Sequence, residues 1–262
     1  MPRLAWNNAE RLAMYELNHY FDLSRDEEKV WRPRIESLVT NLQTQAAPDL
    51  IVFLQHSRDA VRTGLTEKKV ASLLQEWEEL RIRHFSPLTA QAAEYLDSLD
   101  ESNVAYLRKR LSDSLKREEK VLALNDEEFA RKRISRLRQQ FERFYGRITT
   151  VQAKALENLP GLSRKFRQDH IAQTGEAQQS LLAVTGRMIP RDEIKNRLDQ
   201  WVHDPASMRT TESGRASYRE ERRILIKNIA AMDRLMSSEQ RNNCVGKLDE
   251  WQKDLMNWLK DF

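Results

Sequence analysis

Ala130, Ile134, Leu137, Phe141, Phe144 and Ile148 follow one another at intervals of three or four residues. That spacing constrains the fold most, because it returns side chains to one face of an α-helix and would scatter them over both faces of a strand. Tyr218, Leu225, Ile229, Met232 and Met236 make a second stripe with one turn skipped at Arg222. Val245, Leu248, Trp251, Leu255, Trp258 and Phe262 make a third. The reading is all-α: a single domain over 1–262, a multi-helix bundle of about ten to twelve antiparallel amphipathic helices, several kinked at Pro. The helices are predicted near 4–20, 25–46, 49–63, 67–85, 88–98, 101–123, 126–145, 150–158, 162–184, 191–202, 215–235 and 238–260.

Helix starts are signalled by side chains able to bond the first backbone amides. In Leu124-Asn125-Asp126-Glu127-Glu128-Phe129, Asn125 is placed to accept from those amides, Glu128 to reach back to the cap, and Leu124 to staple onto Phe129. Ser24 with Glu27, Thr149 with Gln152 and Ser237 with Gln240 offer the reciprocal cap. Leu65 with Val70 and Leu99 with Val104 offer the staple without it. Gly64 and Gly146 stand where a left-handed residue ends one helix before the next begins, and such short connections make antiparallel neighbours. Pro33 inside the second helix and Pro48 after it predict a kink or a break at each. The stretch 185–214, with Gly186, Pro190, Pro205 and Gly214 and few apolar residues, is predicted to be mobile and to set off a C-terminal helical pair, 215–262. That pair needs a further surface to cover its stripes.

Forty-four basic and 40 acidic residues leave a net charge of +4, too small an excess in 262 residues to imply dedicated nucleic-acid binding. Seven Gly and seven Pro are too few turn formers for a many-stranded sheet. The single cysteine, Cys244, excludes an intramolecular disulfide and reads as a small half-buried hydrophobe. No apolar run approaches the roughly 18 residues of a membrane-spanning helix. Met1-Pro2-Arg3 lacks the apolar core of a signal peptide, so if Met1 is the true start the chain is cytoplasmic.

The densest charge is Arg131-Lys132-Arg133-Ile134-Ser135-Arg136-Leu137-Arg138, continuing to Arg143 and Arg147. These cations could meet phosphates of nucleic acid or lipid. Flanking a clean apolar stripe, they read instead as the solvated face of a bundle helix. His19, His56, His84, His170 and His203 never take metal-ligand spacing, and Asp169-His170 reads as a surface hydrogen bond. All the glycines stand singly, which rules out a phosphate loop. Glu27-Glu28, Glu78-Glu79 and Glu118-Glu119 point to different sides of their helices and suit solvation. No catalytic residue, metal or cofactor is predicted. Trp6, Tyr15, Tyr20, Phe21 and Trp31 crowd the start of the chain, while Trp77, Trp201, Trp251 and Trp258 follow later. Such aromatics anchor cores more often than interfaces.

The opening "LAWNNAERLAMYELNHYFDLSRDEEKVWRPRIESL" resembles the start of an uncharacterised (domain of unknown function) family of proteobacterial lipoproteins. Its members begin with Tyr- or Trp-Asn-Asn-Ala and continue to Tyr-Phe-Asp-Leu, here Trp6-Asn7-Asn8-Ala9 and Tyr20-Phe21-Asp22-Leu23. "LTEKKVASLLQEW", "LNDEEFARKRISRLRQQFERFYG" and "SYREERRILIKNIAAMDRLMSSEQRNNCVGKLDEW" are similar to later parts of that family, and the likeness is weakest from 161 to 214. The resemblance implies an envelope protein on the periplasmic face of the outer membrane, tethered by acyl chains on a cysteine that here would lie upstream of Met1. It brings no catalytic residues. Helix rules do not demand Asn7-Asn8 or Phe21-Asp22, and Trp6, Asn7, Asn8, Tyr20, Phe21 and Asp22 are the candidate binding residues.

The leading expectation is therefore a non-enzymatic envelope protein that binds another envelope protein, with no nucleic-acid partner, through a groove between kinked helices. A second is a steric chaperone for a secreted enzyme. Phe21-Asp22-Leu23-Ser24 resembles a compressed form of the Phe-Asp and Leu-Ser motif of lipase-specific foldases, without its following Gly-Glu. A third is a cytosolic binder of anionic surfaces or nucleic acid through the basic helix 131–147.

Overall fold

The polar residues at the expected starts do cap helices. In the computed structural model, which describes residues 8–260, Glu27 N–H donates to Ser24 Oγ at 3.3 Å and Ser24 N–H to the Glu27 carboxylate at 2.7 Å. Thr149 with Gln152 and Ser237 with Gln240 form the same reciprocal pair. Asp100 adds one that the sequence reading took for a staple alone. Its carboxylate accepts from Asn103 N–H at 3.0 Å, and Asn103 Oδ1 accepts from Asp100 N–H at 3.0 Å. Asn thus stands in for the Glu or Gln usual at that place.

The described residues form only helices and connections: α1 (Ala9–Phe21), α2 (Arg25–Arg62), α3 (Glu67–Phe85), α4 (Thr89–Ser98), α5 (Glu101–Leu122), α6 (Asp126–Tyr145), α7 (Thr150–Glu157), α8 (Arg164–Leu182), α9 (Arg191–His203), α10 (Glu212–Asp233) and α11 (Ser238–Lys260). A 3₁₀ turn, Ser86–Leu88, carries Pro87 and joins α3 to α4, and a second, Pro205–Met208, lies between α9 and α10. Gly64 and Gly146 end α2 and α6 with φ of +84° and +79°. Gly146, with ψ −164°, sits in a region open essentially only to glycine.

The break expected at Pro48 is not made. Both Pro33 and Pro48 lie inside α2, whose 38 residues run for about 57 Å at 1.5 Å per residue. A proline inside a helix costs about 3 kcal/mol. Packing along both α3 and α11, with Ala46 and Ala47 buried, offsets it. Thr44, one turn before Pro48, turns its hydroxyl back onto the Thr40 and Asn41 carbonyls.

Two apolar cores lie along α2. The first gathers Phe21, Trp31, Tyr95, Leu96, Leu107 and Ile194, with Tyr95 held edge-on by Phe21 and Trp31 at 5.3 and 4.9 Å between ring centroids. The second gathers Val61, Leu65, Tyr145, Leu156, Met232 and Leu248. Cys244 is part of it, and burial pushes its thiol pKa up to about 11. The stretch 185–214 contributes α9, whose Ile194 is wholly buried, and Gly186 N–H donates to the Leu96 carbonyl at 3.1 Å. The last two helices find separate partners: α11 runs along α2 and α6, and α10 along α8 and α3.

Neighbours in sequence are not always neighbours in space. α5 and α6, three residues apart, splay instead of packing side by side, and α5 lies on α8 while α6 lies on α11. That splay opens the surface described next.

Candidate binding cleft

A cleft of about 940 Å³ opens between α3, α6, α8 and α10. Trp77 and Leu74 of α3 face Leu137 of α6, Phe166 of α8 and Leu225 of α10 across it. Trp77 and Leu225 are each 46% exposed, so two residues of core type present apolar surface to solvent here. α2, which carries both prolines, contributes nothing to this lining, so the groove is not one between proline-kinked helices. A second groove of about 660 Å³, between α5 and α6, shares Glu118, Arg133, Arg136 and Arg167 with the first, so the two meet at this cluster.

Charge is concentrated at that junction. Five arginines line the cleft (Arg81, Arg133, Arg136, Arg167, Arg222) against three glutamates (Glu78, Glu118, Glu221). Arg222 pairs with Glu78 at 2.9 Å, and Arg167 pairs closely with Glu118, which Arg136 approaches at 4.0 Å. Arg133 donates from Nη2 to the Gly161 carbonyl at 3.1 Å. That carbonyl is presented by a turn only glycine suits: φ at Gly161 is +83°, and a Cβ there would lie 2.9 Å from Ile224. Burial pushes the guanidinium pKa values of Arg133 and Arg167 down. Since arginine stays protonated in proteins, that shift marks two positive charges partly withdrawn from water.

Behind the arginines lies a polar lattice. His170 Nδ1 is 2.7 Å from Glu221, Gln173 donates to Glu221 at 3.0 Å, and Arg209 donates to Gln173 at 2.6 Å while stacking on the Tyr218 ring. His170 therefore pairs with Glu221 and not with Asp169, whose partner is Lys165 at 2.5 Å. A His–Glu pair can move a proton, but no Ser, Thr or Cys stands with it in the cleft lining.

Three buried polar atoms in this wall find no partner in the protein: Arg133 Nε, Arg167 Nε and Asn228 Oδ1. Asn228 donates from Nδ2 to the Pro160 carbonyl at 3.0 Å, which fixes its amide with the oxygen left over. All three lie beneath the cleft surface, out of reach of solvent. Unmet buried groups of this kind are uncommon and costly, roughly 1–3 kcal/mol each.

The sequence-predicted site residues lie elsewhere. Trp6 and Asn7 fall outside the described residues. Asn8 precedes α1, and its carbonyl accepts from Leu12 N–H at 2.8 Å. Tyr20 is at the surface, edge-on to His19. Phe21 is in the first core, and its carbonyl accepts from Asn103 Nδ2 at 2.9 Å. Asp22 ends α1 in the left-handed conformation, φ 51°, where Asp and Asn are favoured among non-glycine residues. None of Asn8, Tyr20, Phe21 and Asp22 lines the cleft. Sequence reasoning missed Arg133, Arg167 and Glu118, having placed the cations of 131–147 and the Glu118-Glu119 pair on solvated faces. Their only signal was position, since Arg133 adjoins Ile134 of the stripe and Arg167 adjoins Phe166.

A family of unknown function, DUF6279, matches this chain over residues 19–213. The match takes in Tyr20-Phe21-Asp22-Leu23 and the stretch from 161 to 213, and leaves outside it Trp6-Asn7-Asn8-Ala9, nearly all of α10 and the whole of α11. No curated protein and no solved structure matches the chain. With the matched span running from the end of α1 through α9, and holding three of the four helices that wall the cleft, the chain belongs to DUF6279, a family of unknown function.

Proposed function

We propose that this protein is a non-enzymatic binding module of the cell envelope whose cleft between α3, α6, α8 and α10 receives part of another protein. The observation that carries the reading is the cleft's mixed lining, with exposed Trp77 and Leu225 beside a cluster of arginines, two of them partly buried. Aromatic and arginine side chains grouped in a concave site are the residues that dominate binding energy at protein interfaces. The envelope setting rests on the resemblance of the Asn-Asn and Tyr-Phe-Asp-Leu stretches to lipoproteins. On this reading the protein's periplasmic placement and acyl tether depend on a cysteine encoded upstream of Met1.

The test is site-specific photocross-linking in intact cells, with the cross-linker replacing Trp77 in the cleft and Val151 on α7. One partner is expected from Trp77, is lost when Leu225→Asp is added, and is absent from Val151. Equal labelling from both positions would sink the reading. Radiolabelled palmitate incorporated into the full-length product checks the tether separately.

A further inference from the structure

Resting on the cleft as a protein-binding site, we infer that its occupant is an extended segment carrying a carboxylate flanked by bulky apolar residues, and that Glu118 holds the carboxylate's place until it arrives. The argument begins with the charge of the lining. Five arginines stand against three glutamates, and the surplus of positive charge calls for an oxyanion. A polypeptide with an Asp or Glu beside bulky apolar residues offers a carboxylate for the arginines and side chains for the walls. A phosphate ion offers the first alone. Trp77, Leu137, Phe166 and Leu225 supply the apolar walls for the flanking side chains.

Glu118 completes the picture. Its carboxylate pairs with Arg167 and stands 4.0 Å from Arg136, at the meeting of the two grooves, while remaining 30% exposed. A charge so placed is an internal copy of the ligand group. An arriving carboxylate exchanges with it, one guanidinium contact being broken as another forms, so the arginines are never left bare.

The test selects a phage-displayed library of random linear peptides on the full chain, with Arg133→Gln and Glu118→Gln as parallel baits. Peptides taken by the wild type should be enriched severalfold in Asp and Glu beside Leu, Phe or Trp, and that enrichment should vanish on R133Q. By fluorescence anisotropy, a selected peptide should bind R133Q about tenfold more weakly, the loss of one charge-assisted hydrogen bond. It should bind E118Q severalfold more tightly, because the competing carboxylate is gone. A damaged fold would weaken both variants, so the opposite signs separate the exchange from instability, and weaker or unchanged binding by E118Q overturns it. Selection without acidic bias, equal retention by R133Q, or no selected peptide overturns the inference, as does saturable binding of dodecanoate with no peptide selected. If the Trp77 cross-link to a partner survives R133Q, the carboxylate is wrong and the protein-binding reading stands.

Discussion

The two cores of this molecule are closed by different means. The buried residues of the core around Phe21, Trp31, Tyr95, Leu107 and Ile194 all lie inside the family span 19–213, and its centre is aromatic. The core around Val61, Leu65 and Leu156 needs Met232, Met236, Cys244, Val245 and Leu248, all from beyond that span. It is also stitched by buried polar groups. The Asp233 carboxylate, 1% exposed, accepts from Leu65 N–H at 2.7 Å and pairs with Arg241 at 2.7 Å. Gln152 and Gln240 bond each other, and their amides also reach the Leu235 and Arg147 carbonyls. Apolar packing seals the first core around α2 with one buried amide, Asn103, bonded to the Phe21 carbonyl, whereas the second is fastened to the C-terminal helices by charges and amides that cannot be left unpaired.

That contrast predicts where the fold is most fragile. Asp233→Ala leaves the Leu65 N–H without its acceptor and Arg241 without its counter-charge, and should cost about 3–5 kcal/mol. Urea unfolding followed by circular dichroism gives the size. Hydrogen exchange gives the place, with protection falling in α10, α11 and the start of α3 well before α4 and α9. A uniform loss throughout the chain would mean the two cores open only together, through α2, and would end the distinction drawn here.

Which of these features the sequence discloses follows from how local their causes are. The helix ends were legible because a cap is a contract between residues three apart: Ser24 with Glu27, Thr149 with Gln152. The continuity of α2 through Pro48 was not, because it depends on α3 and α11, the latter some two hundred residues away. The cleft was hidden for the same reason. Arg133, Arg167, Asn228 and Trp77 come from four elements, and each looks ordinary in its own window. Asn103 passed unnoticed in the sequence, where nothing shows that its amide serves both the local cap and the distant Phe21 carbonyl.

A smaller effect probes the aromatic core from its one unmet polar atom. The Tyr95 hydroxyl is buried without a partner, and burial drives its pKa well above the ordinary tyrosine value. Tyr95→Phe keeps the edge-on rings and removes a desolvated group, so it should be neutral or stabilising by up to about 1 kcal/mol. A drop in melting temperature would show that the hydroxyl is bonded, and the first core would then hold a second buried polar stitch beside Asn103.

The smallest effect concerns the rim of the first core, where Asp199 of α9 accepts from Thr89 at 2.6 Å and pairs with Lys195 at 2.6 Å. The Lys195 ammonium, with help from the Thr89 hydroxyl, holds the Asp199 carboxyl below its ordinary 3.8. A depressed folded-state pKa means that protons bind the unfolded chain more readily. The stabilisation is therefore complete above the ordinary value and disappears as pH falls through the lower, folded one. The pair is partly open to water, so its contribution should stay below about 1 kcal/mol. Urea midpoints of the wild type and Asp199→Asn should differ slightly at neutral pH and converge in acid. A gap that persists at the acid end would mean that Asp199 holds α9 to α4 by shape and not by charge, leaving the Arg191–Asp97 pair at 3.1 Å as an ionic link between those two helices.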